Sequence, residues 1–188
     1  MKLLIFAVLI AAVIYLLPYI RVGIRRIMLA IKLSSLCERT GVRLHKNHTL
    51  WLFGGSRGRA CDFYIETGET VWSVKLFGMK RRTTELCFTD DRRYFIRSYI
   101  AFAAGMFSRV PLDSKKRELP AYDFRAGFRD EWYMKRFKPV LLVNPVCLQI
   151  NYTSADGNRI VGAGEILNDM YIYSSSRLIS DIETEVSE

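Results

Sequence analysis

The sequence predicts an α/β domain, a mixed sheet rich in β-hairpins with few helices, preceded by a single transmembrane helix. Three observations lead there. Residues 3–20 carry no charge. From residue 42 onward, short apolar runs of strand length are separated by turns bearing Gly, Pro or Asp. Apolar residues at helical spacing recur in only a few short stretches, near 22–38, 122–138 and 177–183. The 188 residues are 50% hydrophobic and 13% aromatic with 12 Gly and 5 Pro, which excludes a disordered chain and supplies a core without disulfides or a structural metal.

The net charge is +9, which at first suggests nucleic acid. Its distribution points elsewhere. Residues 1–60 hold ten Lys and Arg against one acid, residues 61–150 sixteen against eleven, and residues 151–188 two against seven. The excess is concentrated beside the apolar N-terminus, so nucleic acid is possible as a partner but not favoured.

At 1.5 Å per residue, the eighteen residues of 3–20 cover about 27 Å as a helix, close to one hydrocarbon core. A cleaved signal peptide would have a shorter apolar run followed by small residues, whereas this run ends in Leu-Leu-Pro-Tyr-Ile and then Arg21. A buried core helix would show polar positions, and none occurs. Residues 1–24 are therefore expected to be a retained anchor. Arg21, Arg25, Arg26 and Lys32 follow the run and only Lys2 precedes it, so the positive-inside bias puts the remainder in the cytoplasm of a single-pass cell-membrane protein. Four dispersed cysteines fit a reducing compartment. Residues 25–40 read as a basic amphipathic helix with Ile24, Ile27 or Met28, Ile31 and Leu36 on its apolar face. Such a helix can lie on anionic lipid through Arg25, Arg26 and Lys32, or be the first packed helix of the domain.

The domain itself is expected over 41–188. After a first β-like run at 42–53 and a Gly-rich cluster at 54–58, residues 61–67 and 70–77 form the clearest unit, a hairpin turning at Gly68-Glu69. Alternation puts Phe63, Ile65, Trp72, Val74 and Leu76 on the core face. Asp62, Tyr64, Glu66, Ser73, Lys75 and Phe77 are left for the other face. A second hairpin is expected over 83–88 and 93–102, and 105–121 reads as a surface loop. A short amphipathic helix is expected over 122–138, with Phe124, Phe128 and Trp132 at i, i+4, i+8. Residues 140–146 read as a buried strand, continued through 148–152 to a turn at 156–158. A strand at 169–173 and a helix at 177–183 close the chain.

The helix ending in LCERTGVRLHKNH, the glycine-bearing gap, Asp62 opening a hairpin and Trp72-Ser73-Val74-Lys75 closing it together resemble the restriction-endonuclease-like superfamily and its nuclease-related domains. The family pattern is an Asp at the start of one strand and Glu-x-Lys on the next. The later VLLVNPV strand, MYIYS strand and closing helix resemble the second half of that fold, and the likeness covers about 110 residues. It implies a metal-dependent nuclease or phosphodiesterase. Asp62 would hold Mg²⁺, the only cofactor implied, and Lys75 would position and activate water. Ser73 stands where the family has its Glu, and a neutral hydroxyl is a poor ligand for a hard cation. Glu66 on the same face could substitute, though two strand positions shift it by about 6.6 Å. Without that resemblance, Asp62, Ser73 and Lys75 would line a solvent-facing sheet surface, where Asp62→Ala would change stability by less than about 0.5 kcal/mol.

Other constellations are weaker. His45, His48, Cys37 and Cys61 share no zinc-type spacing, and the Gly-rich cluster lacks the Lys-Ser or Lys-Thr of a phosphate loop. The interleaved arginines and aromatics of 122–137 fit either base stacking or a core stripe. The function expected from the residues is interaction or scaffolding at the inner membrane face, without catalysis or a cofactor.

Overall fold

The computed structural model describes residues 2–47, 58–79, 84–101, 109–144 and 147–188, with side chains for all of these except 2–16, 18, 19, 21, 22, 100, 101, 109 and 110. The class is α/β, with two α-helices and two sheets. The first helix, α1 (Lys2–Thr40), is one continuous element of 39 residues. It stops where Gly41 takes a φ of 70° and donates its N–H to the Cys37 carbonyl, a conformation glycine adopts without a Cβ penalty. Among the described residues no helix is long and apolar enough to cross a membrane. The apolar run 3–20 falls almost wholly on residues whose side chains lie outside the description.

The strands are β1 (Arg43–Lys46), β2 (Phe63–Glu66), β3 (Thr70–Phe77), β4 (Glu85–Thr89), β5 (Arg93–Ala101), β6 (Arg109–Asp113), β7 (Arg117–Glu118), β8 (Arg136–Val143), β9 (Gln149–Ser154), β10 (Gly157–Ile160), β11 (Ile166–Leu167) and β12 (Met170–Ser174). The closing helix is α2 (Ser175–Ser187). The first sheet runs β1-β2-β3-β8-β12-β11, with β3, β8 and β12 mutually parallel and the other neighbours antiparallel. The second runs β10-β9-β4-β5-β6, with β7 also on β5.

The first sheet is covered on both faces. Helices α1 and α2 bury Leu29, Leu33, Leu36, Leu178 and Ile182 against Phe63, Ile65, Trp72, Val74, Val140 and Leu142. The second sheet packs Leu86 and Phe88 against Phe77, Leu141, Val143 and Ile172 on the opposite face. Strand β8 therefore sends Val140 and Leu142 one way and Leu141 and Val143 the other, which is why its sequence is continuously apolar. At about 1.5–3 kcal/mol per fully buried large side chain, this central strand is among the strongest contributors to the fold. Pro139 fits in it because β12 pairs only from Val140 onward, so no ladder bond is lost on that side.

Both expected hairpins form, the first in the register Phe63↔Val74, Tyr64↔Ser73, Ile65↔Trp72. Four expectations are corrected. Residues 105–121 were expected as a loop, but 109–113 and 117–118 return as β6 and β7 to the edge of the long β5. The helix expected over 122–138 is a turn at 124–127 and one 3-10 turn (Asp130–Met134), since Gly127 at φ 80° breaks the helical path and β8 begins at Arg136. On α1, the Ile24, Ile27, Met28 and Ile31 stripe is exposed, and the face that packs carries Arg26, Leu29, Leu33 and Leu36. Both stripes repeat at helical spacing, so periodicity alone does not choose between them. The fourth correction concerns the face of the hairpin that carries Asp62.

Candidate functional site

Asp62 and Lys75 do come together, with Ser73 two positions before Lys75 on the same strand, but not on a solvent-facing surface. All three are buried, as are Tyr64, Glu66 and Phe77 of the same face. The cover is the segment 122–134 on one side and the second sheet on the other, neither visible in the alternation of two strands. Asp62 immediately precedes β2 and is locked by its backbone, its N–H donating to the Val74 carbonyl at 2.8 Å. Its side-chain Oδ2 accepts the Leu76 N–H at 2.7 Å, and its Oδ1 lies 3.7 Å from the Lys75 Nζ. Lys75 also donates to the carbonyls of Gly58 at 3.1 Å and Ala60 at 2.7 Å, and stands 5.6 Å from the Tyr122 ring centre. Ser73 Oγ donates to the Phe124 carbonyl at 2.6 Å.

A second cation reaches this centre from α1. Arg26 was expected with the lipid-facing basic residues, yet it is buried and close enough to Asp62 for their charges to interact. Burial pulls its pKa down, and Asp62 opposes that shift. Its position on the Leu29, Leu33 and Leu36 stripe was the available sequence signal. A Cβ on Gly78 would lie 3.4 Å from its Nη2, so the loop after β3 runs along the guanidinium. Arg25 is partly exposed and Lys32 exposed. Burial, with Tyr94 and Asp62 adding to it, pushes the Tyr122 hydroxyl up to about 12.

The covering turn is tied down by several bonds. Asn47 Nδ2 donates to the carbonyls of Cys61 at 3.0 Å and Ala126 at 3.3 Å, and the Tyr64 hydroxyl donates to the Ala126 carbonyl. Ala60 and Asp123 form a parallel bridge, with Asp123 N–H on the Arg59 carbonyl and Cys61 N–H on the Asp123 carbonyl. Cys61, Tyr64, Val71 and Trp132 close a small core beneath, against which Phe124 and Phe128 pack. These aromatics thus form a core stripe without the helix.

Glu66 is not a second carboxylate for Asp62. The separation is four strand positions and not the two expected, which carries it about 13 Å away instead of about 6.6 Å. There its Oε1 accepts from Lys135 at 2.8 Å, and its Oε2 pairs with His45 Nε2 at 2.9 Å. Burial alone would raise its pKa, but the Lys135 and His45 bonds outweigh that and hold it at about 2. Glu66 and Lys135 border a cleft of about 300 Å³ between the end of α1 and the β2–β3 turn, lined also by Arg43, Thr67 and Val186. Sequence reasoning missed His45 and Lys135 in this role because they come from separate elements.

Among the described residues, no group of three or more His, Cys, Asp or Glu is placed to hold a metal ion. His48 lies outside them. Cys61, Cys87 and Cys147 are buried free thiols whose pKa burial raises, and Cys37 is half-buried. Compared with protein-family models, curated proteins and solved structures, the chain matches none.

Proposed function

We propose that this chain is a single-pass, membrane-anchored protein whose cytoplasm-facing domain is a non-catalytic interaction or scaffolding module built around a closed, nuclease-like hairpin. The observation that carries the reading is the complete burial of the Asp62 carboxylate beside Lys75. A hydrolytic metal site needs a hard anionic ligand set open to phosphate and water. Here Asp62 receives the Leu76 N–H, Ser73 faces a carbonyl, and Lys75 holds the 58–60 segment against the hairpin. The same residues that would act on a phosphate serve as internal fasteners. The anchor is supported by the uncharged run 3–20 and the Arg21, Arg25 and Lys32 charges after it.

A second reading, a metal-dependent nuclease or phosphodiesterase, draws on one observation, the 3.7 Å approach of Lys75 on β3 to Asp62 just before the neighbouring β2, in a sheet that also holds β8 and β12 and is followed by the closing helix. The test separates the two. Full-length protein in detergent is incubated with DNA and RNA in Mg²⁺ or Mn²⁺, and no cleavage is expected. Cleavage that disappears in Asp62→Asn without loss of folding would establish the enzyme. Topology is checked by maleimide labelling of single cysteines on the domain surface in intact cells, where protection from an impermeant reagent is expected.

A further inference from the structure

We infer that two copies of this chain pair in parallel through the outer stripe of α1, formed by Leu17, Ile20, Ile24, Ile27 and Ile31. The inference rests on the membrane reading above. These five side chains are 38% to 63% exposed and lie on the face of α1 opposite Leu29, Leu33 and Leu36. They recur at intervals of three, four, three and four residues, the repeat with which two helices mesh as knobs into holes. An amphipathic surface helix needs only one apolar face, and α1 already has one packed on the sheet.

The continuity of α1 decides what covers the second face. It is one helix from Lys2 to Thr40. With 3–20 across the hydrocarbon core, Ile24, Ile27 and Ile31 stand about 6, 10 and 17 Å beyond Ile20 along the same axis. The headgroup layer adds only about 5–7 Å on each side, so lipid does not reach Ile27 and Ile31 on an upright helix. An unbroken helix, even with the kink that Pro18 introduces, does not turn through the right angle needed both to cross the bilayer and to lie upon it. A bilayer also gives every copy the same orientation, so a two-fold axis along its normal brings the same stripe of two copies face to face.

The flanks suit that arrangement. Arg25 and Lys32 sit seven residues apart on one side of the stripe, leaving the seam from Ile24 to Ile31 free of like charges. On the other side are the small residues Gly23 and Ala30, and a Cβ on Gly23 would meet nothing within 4 Å. With Met28, 54% exposed, beside the seam, the stripe is a contiguous exposed apolar surface of the kind that marks an interaction site.

Single cysteines are placed at seam positions (Ile24→Cys, Ile27→Cys, Ile31→Cys) and flank positions (Arg25→Cys, Lys32→Cys) in the full chain carrying Cys37→Ser, and membranes are oxidised with copper phenanthroline. A disulfide dimer is expected at the three seam positions and is expected to be lost at the two flank positions. Carbonate extraction of the same membranes reports the anchor separately. Seam dimers in an extractable chain would uphold pairing and defeat the membrane reading. A carbonate-resistant chain without seam dimers would overturn pairing. Seam thiols then shielded from a water-soluble maleimide would assign the stripe to lipid, and a mixed disulfide with another protein would assign it to that protein. As a second measure, Ile24→Asp with Ile27→Asp, both at exposed positions, should halve the protein mass found by light scattering in detergent. An unchanged mass would also overturn the pairing.

Discussion

At the scale of single residues, the centre of the domain is a buried ionic cluster, and its energetics differ from those of a surface pair. Removing one partner leaves the other charged and desolvated, at a cost of about 3–5 kcal/mol. Asp62→Ala is therefore expected to destabilise the full chain by about that amount in urea titrations in detergent, not by the small change a solvent-facing hairpin would show. Asp62→Asn combined with Lys75→Met should cost less than the sum of the two single changes, because the double variant leaves neither charge stranded. Ser73→Glu, which restores the family pattern, would put a carboxylate against the Phe124 carbonyl and is expected to unfold the site instead of building a metal ligand. Glu66 gives the domain an acid limb. Its carboxyl titrates at about 2 when folded, against an ordinary value of 4.5. The stability it contributes is full above about pH 4.5 and is lost as the pH falls from there toward 2, on the order of 2–3 kcal/mol. Urea midpoints at pH 7 and pH 3 should therefore converge in Glu66→Gln relative to the unaltered chain.

At the scale of elements, the two hairpins were legible because period-2 alternation and turn residues are local signals. The 122–138 segment was misread for the complementary reason. Phe124, Phe128 and Trp132 sit at helical intervals, yet they reach one core through a turn and a single 3-10 turn. The break is Gly127, whose φ of 80° and 3.1 Å clearance from Asn47 Oδ1 leave no room for a Cβ without strain. Gly127→Ala is expected to lower stability by about 1–2 kcal/mol, measured by thermal melting, and to loosen the cover over Asp62. Strands β6 and β7 were hidden by a proline and a basic run that read as loop. They form because β5, nine residues long, offers an edge that a returning chain can pair.

At the scale of the whole molecule, the buried side chains that join α1 to the domain, among the described residues, are Arg26, Leu29, Leu33 and Leu36. Deleting residues 1–24 is expected to leave a chain that unfolds cooperatively on heating, whereas deleting 1–34 removes Arg26 and two core leucines and should abolish the transition, as circular dichroism melts would report. The division between sequence and structure follows from the range of the forces involved. Composition, the charge-free N-terminal run and its flanking arginines, the α/β class and the central hairpin were readable from the chain alone, since each depends on neighbours a few residues apart. Which of the two α1 stripes packs, whether Asp62 faces water or a carbonyl-lined interior, and where Glu66 finds its partners were decided only by tertiary structure. Each depends on what a distant segment lays over a surface, the second sheet and 122–134 over β2 and β3 above all, and burial is a property of that covering layer and not of the strand beneath it.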